Sequence, residues 1–255
     1  MIVFFSSRNK RYVRSAMIMD TIPTHIGVIL DGNRRFAKQL MQKPWMGHKW
    51  GLEKAREVLQ WSCDYGIKYI TAYVLSLENL HTRPKRELAF ILQQLHEETE
   101  NILKGRQHIV HRKKINVRFI GRRNLLPEGL QKQFEKVEKA TKDYKKHFLN
   151  VAVAYGGQQE LVDAMRKIME KGLKGLIKPH ELDEAFIKQH LYTNGHPPPD
   201  LIVRTGGDVR LSNFMPFQSV YSELIFTTKK WPELTKQDFS GFIKEYQQRK
   251  RRFGK

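Results

Sequence analysis

The sequence predicts an α/β protein: a mostly parallel, six-stranded sheet covered by helices on both faces. Three observations carry this reading. Short apolar runs without polar alternation recur along the chain, as strands buried on both faces require. Segments of helical periodicity separate these runs. No internal repeat or low-complexity linker interrupts the alternation, so the region 21–255 reads as one domain behind a basic N-terminal extension, 1–20.

The first strand is His25 to Leu30, ending at Asp31-Gly32-Asn33. Leu52, Ala55, Val58 and Leu59 recur at helical spacing before the second strand, Tyr69 to Leu75. A polar segment, Ser76 to Arg83, leads into a long helix marked by Leu88, Ile91, Leu92, Leu95, Ile102 and Leu103. The strand Ile115 to Ile120, the helix of Leu130, Phe134, Val137 and Thr141, and the strand Phe148 to Ala154 continue the pattern. Helices follow around Leu161 to Met169 and Leu182 to Leu191, then the strands Asp200 to Arg204 and Glu223 to Thr227. A helix through Phe239, Phe242, Ile243 and Tyr246 closes the series. Parallel sheets bind ligands beyond the carboxyl ends of their strands. The chemistry is therefore expected in Asp31 to Arg35, Ser76 to Arg83 and Thr205 to Ser212.

A formal charge of +20 calls for an anionic partner, and fourteen Lys or Arg against four acids place +10 of it in residues 104–147. Nucleic acid, acidic lipid and a phosphorylated substrate all fit such a charge. Lys132, Lys136, Lys139, Lys142 and Lys146 follow helical spacing, which a solvated face or anionic lipid explains better than nucleic acid. The single cysteine, Cys63, excludes a disulfide framework and reads as a small buried hydrophobe. No apolar run reaches the ~18 residues that a membrane span needs, so a cytoplasmic protein is expected. The opening segment through Arg14 reads as a disordered start, with a weak membrane-surface tether as the alternative.

Asp31-Gly32-Asn33-Arg34-Arg35-Phe36-Ala37 supplies a carboxylate, a glycine that permits close backbone approach, and two guanidinium groups at a helix start. These groups suit a diphosphate with a divalent metal, because helix amides and Arg donors bind oxygen anions while Asp is a hard oxygen ligand. A plain turn with a helix cap is the competing reading of this segment. The stretch Arg204-Thr205-Gly206-Gly207-Asp208-Val209-Arg210-Leu211-Ser212-Asn213 adds two more guanidinium forks and a hydroxyl around a glycine pair, suited to a second diphosphate. Neither segment matches the Walker pattern, and no G-x-G-x-x-G follows the first strand, which disfavours nucleotide binding.

The order and spacing of these residues resemble the cis-prenyltransferase family, of the archaeal polyprenyl diphosphate synthase type, from Ile22 to the carboxyl terminus. The likeness rests on Asp31-Gly32-Asn33 with Arg35 and Ala37, Gly47-His48 with Gly51, and Ser76 with Glu78-Asn79. Arg204 to Asn213, Tyr221 with Glu223, Trp231-Pro232 and Arg252-Phe253-Gly254 complete it. The resemblance implies magnesium-dependent joining of isopentenyl diphosphate to an allylic prenyl diphosphate, a hydrophobic tunnel for the product chain, and a homodimer or occasional heteromer. It further implies that Asp31 holds Mg²⁺ with Glu223 as a second metal-associated carboxylate. Gly32, Asn33, Arg34, Arg35 and His48 would cradle the allylic diphosphate, and Arg204, Arg210 and Ser212 the diphosphate of isopentenyl diphosphate. Ser76 and Asn79 would serve deprotonation and substrate ordering, and Arg252 with Gly254 would reach a partner's site. Phe36, Glu78, Leu80, Arg83 and Leu211 fall within the same motifs as substrate-contacting candidates. The aspartate-rich D-D-x-x-D segments of trans-type enzymes are absent from the sequence.

The sequence departs from the family pattern at several points. Pro44 stands where an allylic-diphosphate arginine is common, leaving Lys43 or Lys49 as substitutes. Leu80 replaces an aromatic, and Arg83 lies one residue later than expected. Phe36 and Asp208 replace Trp and Glu. Altered allylic contacts leave head-to-middle coupling of dimethylallyl diphosphate as the alternative reaction. A noncatalytic subunit and a nucleic-acid binder are the alternatives from other classes. Docking of the basic surface on an anionic membrane would aid release of an apolar product.

Overall fold

The structure, a computed structural model, describes residues 22–249; the extension 1–20, Arg252 and Gly254 lie outside the described residues. All six expected strands form: β1 (His25–Ile29), β2 (Tyr69–Ser76), β3 (Ile115–Ile120), β4 (His147–Tyr155), β5 (Leu201–Arg204) and β6 (Glu223–Phe226). They make one wholly parallel sheet in the order β3-β4-β2-β1-β5-β6. The helices are α1 (Asn33–Gln39), α2 (Gly47–Asp64), α3 (Leu77–Thr82), α4 (Lys85–Lys104), α5 (Ile109–Arg112), α6 (Glu128–Thr141), α7 (Gly157–Leu173), α8 (Glu184–His190) and α9 (Lys236–Gln248).

The two faces of the sheet are unequal. Alternate residues of the strands, among them Val28, Ile70, Val117 and Val153, point into a large core shared with α2, α4, α6 and α9. Their neighbours, Ile29, Tyr73, Ala152 and Ile202, point the other way into a smaller cluster closed by Phe214 and Met215. Continuous apolar strands thus follow from burial on both sides.

The sequence reading missed α3. The polar segment after β2 is a one-and-a-half-turn helix, because the Ser76 hydroxyl accepts the Asn79 amide at 3.0 Å and caps it. The lysines at helical spacing are solvated: Lys132, Lys136 and Lys139 on α6, and Lys142 and Lys146 beyond its end, are all exposed. Cys63 is buried, and burial pushes its thiol up to about 11, as a packed hydrophobe requires. Among the described residues, no helix is long and apolar enough to cross a membrane.

Candidate active site

The strand order reverses between β1 and its neighbours β2 and β5, and the crevice beyond the carboxyl ends of β1 and β5 is where such sheets bind ligands. Thr205 stitches its two sides together. Its hydroxyl donates to the Asp31 carbonyl at 2.7 Å and accepts the Asp31 amide at 3.0 Å. Gly32 then turns the chain at φ 101°, a left-handed conformation that favours glycine, and any Cβ there would strike Lys230. No side chain caps α1 behind it, which leaves its first-turn amides free for an anion.

Packing of α2 against this turn explains the spaced glycines. A Cβ on Gly47 would overlap the Asn33 carbonyl, and one on Gly51 the Asn33 side chain. The Trp231 indole donates to the Gly51 carbonyl at 2.8 Å and pins the helix from behind.

Asp31 is the hub of the crevice. Its Oδ1 accepts from the Gly32 amide at 2.6 Å and from Arg35 at 3.1 Å, and its Oδ2 from Arg204 at 2.9 Å. Burial pushes its carboxyl up, but the hydrogen bonds from Arg204 and Gly32 and the charges of Arg204 and Arg35 outweigh that, so it stays below the usual carboxylate range. Arg204, only 4% exposed, also donates to the Arg210 carbonyl, the Ser212 hydroxyl and Asp208. Its Nε has no partner among the described residues. Arg210 is exposed and donates to Asp208 at 2.7 Å, while Leu211 packs on the smaller core. The loop reaches this shape through positive φ at Gly206 and Gly207, and at Ser212 and Asn213.

Beside Asp31 opens a polar pocket lined by Gly32, Asn33, Arg34, Arg35, Lys38, His48 and Arg83. Arg83 therefore reaches the site despite its shifted position. It does so by pairing with Glu87, a buried carboxylate that the sequence reading missed because Glu87 reads there as an ordinary polar residue of a helix. His48 Nε2 and Arg34 Nε also face Glu87, at 3.1 and 3.4 Å. Burial lowers the His48 imidazole; the Glu87 hydrogen bond only partly offsets this, and the Arg83 and Arg34 charges add to the depression, so the ring is neutral near pH 7. Lys38 lines the pocket, whereas Lys43 lies over the Trp45 ring. Phe36 meets Trp50 edge-on, and Leu80 is half-buried against the main core. Glu78 of α3 accepts from Asn213 at 2.8 Å, joining this helix to the loop after β5.

One expected pairing is not made. Glu223 begins β6, opposite Leu201 at the amino end of β5, and accepts from Arg249 at 2.9 Å. Asp31 lies beyond the opposite, carboxyl edge, roughly 16 Å away at strand rise. Within one chain the two carboxylates do not share a metal site, and no cluster of three His, Cys, Asp or Glu exists among the described residues.

Behind the polar pocket, with Asn33 and His48 on both, lies an apolar cavity. Val28, Ala72, Val74, Val117 and Phe119 of the sheet form one wall, and Leu52, Leu59, Ile91 and Leu95 of α2 and α4 the other.

The family model described as putative undecaprenyl diphosphate synthase matches residues 29–254. The chain belongs to this family, the cis-prenyltransferases. This cis-prenyltransferase is 46% identical over 234 residues to the tritrans,polycis-undecaprenyl-diphosphate synthase (geranylgeranyl-diphosphate specific) of Methanopyrus kandleri, covering 92% of this chain and 85% of that one. It is 44% identical to the protein of the same description from Methanocaldococcus jannaschii, with 96% and 88% covered. Among solved structures it superposes on lavandulyl diphosphate synthase from Lavandula x intermedia, in complex with dimethylallyl diphosphate, with a TM-score of 0.86 at 32% identity. That match covers 92% of this chain and 99% of the other. The enzyme is a prenyltransferase whose archaeal relatives are cis-chain-elongating synthases.

Proposed function

We propose that the protein condenses isopentenyl diphosphate with an allylic prenyl diphosphate, of the geranylgeranyl type, to give a long Z-polyprenyl diphosphate of the kind used as a lipid carrier. One observation carries the reading: a cationic pocket opens directly into an apolar cavity, with His48 and Asn33 on both. A molecule with a charged head and a long hydrocarbon tail fits both halves at once. Burial of the tail contributes about 0.8 kcal/mol per CH₂.

The free amides of α1 and the side chains of Arg34, Arg35, Lys38 and Arg83 would hold the allylic diphosphate. His48, neutral and donating its Nε2–H to Glu87, has no N–H left for the diphosphate; it would instead help hold Glu87, and through it Arg83 and Arg34, at the pocket without adding charge. Arg204, Arg210 and Ser212 would hold the second diphosphate on the far side of Asp31. Ionisation of the allylic C–O bond leaves charge on the departing diphosphate, which these fixed donors stabilise without reorganising. The cavity keeps water from the carbocation. Asn79, held at the start of α3 by Ser76, would orient the water or diphosphate oxygen that takes the proton lost from the new unit.

Asp31 is ionised and 30% exposed at the pocket, and so fits Mg²⁺, which takes one or two carboxylates and completes its shell with substrate phosphates and water. When bound, the ion neutralises diphosphate charge.

A stripe of exposed apolar side chains on α7, Val162, Met165, Met169 and Leu173, supports the expected homodimer. The exposed α6 lysines support docking on an anionic membrane, which vesicle binding that weakens with salt would test.

The likeness to a synthase solved with dimethylallyl diphosphate favours a second reading, coupling of that substrate to a longer allylic diphosphate. Mass spectrometry of products made with Mg²⁺, a panel of allylic diphosphates, and either isopentenyl or dimethylallyl diphosphate separates the two. Repeated five-carbon additions from isopentenyl diphosphate support elongation; a single addition from dimethylallyl diphosphate supports the alternative.

A further inference from the structure

The apolar cavity ends on charge. Along α4 its wall runs from Ile91 and Leu95 to Glu98, some 16 Å beyond Glu87 at the mouth by helix rise. There Glu98, 14% exposed, accepts from Arg56 Nε of α2 at 3.0 Å and pairs with Arg56 Nη2 as well. Its Oε1 also lies 3.1 Å from Nε2 of His108, the residue that caps α5. The tautomer is fixed, since His108 Nδ1 accepts the Val110 amide and Nε2 is then the donor to Glu98. One carboxylate thus ties three helices together.

Outside this cluster lies a second pocket, open to solvent and lined by Gln60, Trp61, Asn101 and Arg112. The two cavities share Arg56, His108 and Ile109 as their common wall.

We propose that the Arg56–Glu98–His108 cluster is a polar stop that limits product length, and that the outer pocket is the space a chain enters once the stop is removed. This inference rests on the elongation reading above. An apolar chain end gains nothing by contact with a fully paired ion cluster. Advancing past it means separating Glu98 from Arg56, whose side chain is 38% exposed, and from His108, which leaves a largely buried carboxylate without compensation. Burial pushes the Glu98 carboxyl up, but the hydrogen bonds from His108 and Arg56 bring it down to about 2, in keeping with a carboxylate that stays ionised and engaged. A stop built from bulk would yield gradually to smaller side chains; one built from paired charge yields when either charge is lost.

The test is the product length of the full-length enzyme with Mg²⁺, geranylgeranyl diphosphate and isopentenyl diphosphate, comparing wild type with Glu98→Ala, Arg56→Ala and the exchanged pair Arg56→Glu/Glu98→Arg. Glu98→Gln, close to isosteric, guards against loss of fold in the alanine variants. Each single change is expected to shift the main product upward by one or more five-carbon units with an unaltered rate of first addition, and the exchange to restore the shorter product. Unchanged or shorter products with first addition intact overturn the polar stop while leaving the elongation reading standing. A wild-type enzyme that adds no isopentenyl unit overturns both.

Discussion

Arg204 and Asp31 meet across the crevice between β5 and β1, with Nη2 of the guanidinium donating to Oδ2 of the carboxylate at 2.9 Å. The same buried fork reaches the Ser212 hydroxyl at 2.7 Å, so one side chain links the two proposed diphosphate seats. A lysine keeps the charge but not the fork. Arg204→Lys is therefore expected to lower turnover by about 10²–10³-fold, as loss of a preorganised donor does. Steady-state kinetics with both substrates varied will show it, and wild-type turnover in this variant would remove Arg204 from the mechanism.

Ser76 illustrates how a motif residue can act through structure. Its hydroxyl accepts the Asn79 amide and starts α3. Ser76→Ala should lose about 1 kcal/mol of helix-end stability and misplace Asn79. Ser76→Asp, also a good cap, should recover Tm and much of the activity. Failure of Asp to rescue activity while restoring Tm would mean that the hydroxyl itself touches substrate.

Glu87 holds three cationic or polar partners of the diphosphate pocket, and its side chain is 3% exposed. Removing it leaves Arg83, 17% exposed, as a largely buried cation with one partner fewer. Glu87→Ala is expected to destabilise the fold by about 3–5 kcal/mol, the range for one half of a broken buried pair. Urea unfolding will measure that. A change below 1 kcal/mol would show that water reaches the cluster freely.

The sheet was legible from the sequence because a strand buried on both faces leaves a largely apolar run, as β1, β2 and β5 do, while the edge strand β3 alternates, with Asn116 and Arg118 between its apolar residues. The crevice followed from chain order alone, since Asp31 comes just after β1 and Arg204 is the last residue of β5. What escaped was set by contacts rather than pattern. α3 depends on a single capping hydroxyl in a polar segment, and Glu87 differs from other helix glutamates only through what α1 and α2 press against it. The separation of Glu223 from Asp31 escaped too, because position along the chain does not say at which end of its strand a residue falls. The resemblance had placed the two together.

His25 yields a prediction for acid stability. It is fully buried at the start of β1; its Nδ1 donates to the Pro197 carbonyl at 2.7 Å, and its Nε2 accepts the Thr71 hydroxyl at 2.8 Å. Asn150 donates to Thr71 and to Nδ1 of His196, so the chain of hydrogen bonds is complete only with both rings neutral. Burial pushes His25 down to about 4, against a partial lift from the Pro197 carbonyl and Asp200, and burial with the Arg118 charge lowers His196 to about 4. Below pH 6.5 the unfolded chain takes up a proton at each site that the folded protein refuses until about pH 4, so stability is full above 6.5 and falls as pH drops through that window. For His25 alone the linkage comes to about 2 kcal/mol by pH 5 and about 3 kcal/mol once the folded ring titrates. Urea unfolding at pH 7.5 and pH 5 should show the loss, and His25→Gln should flatten the slope even if its stability at pH 7.5 is lower. An equal slope in that variant would assign the acid sensitivity to other groups.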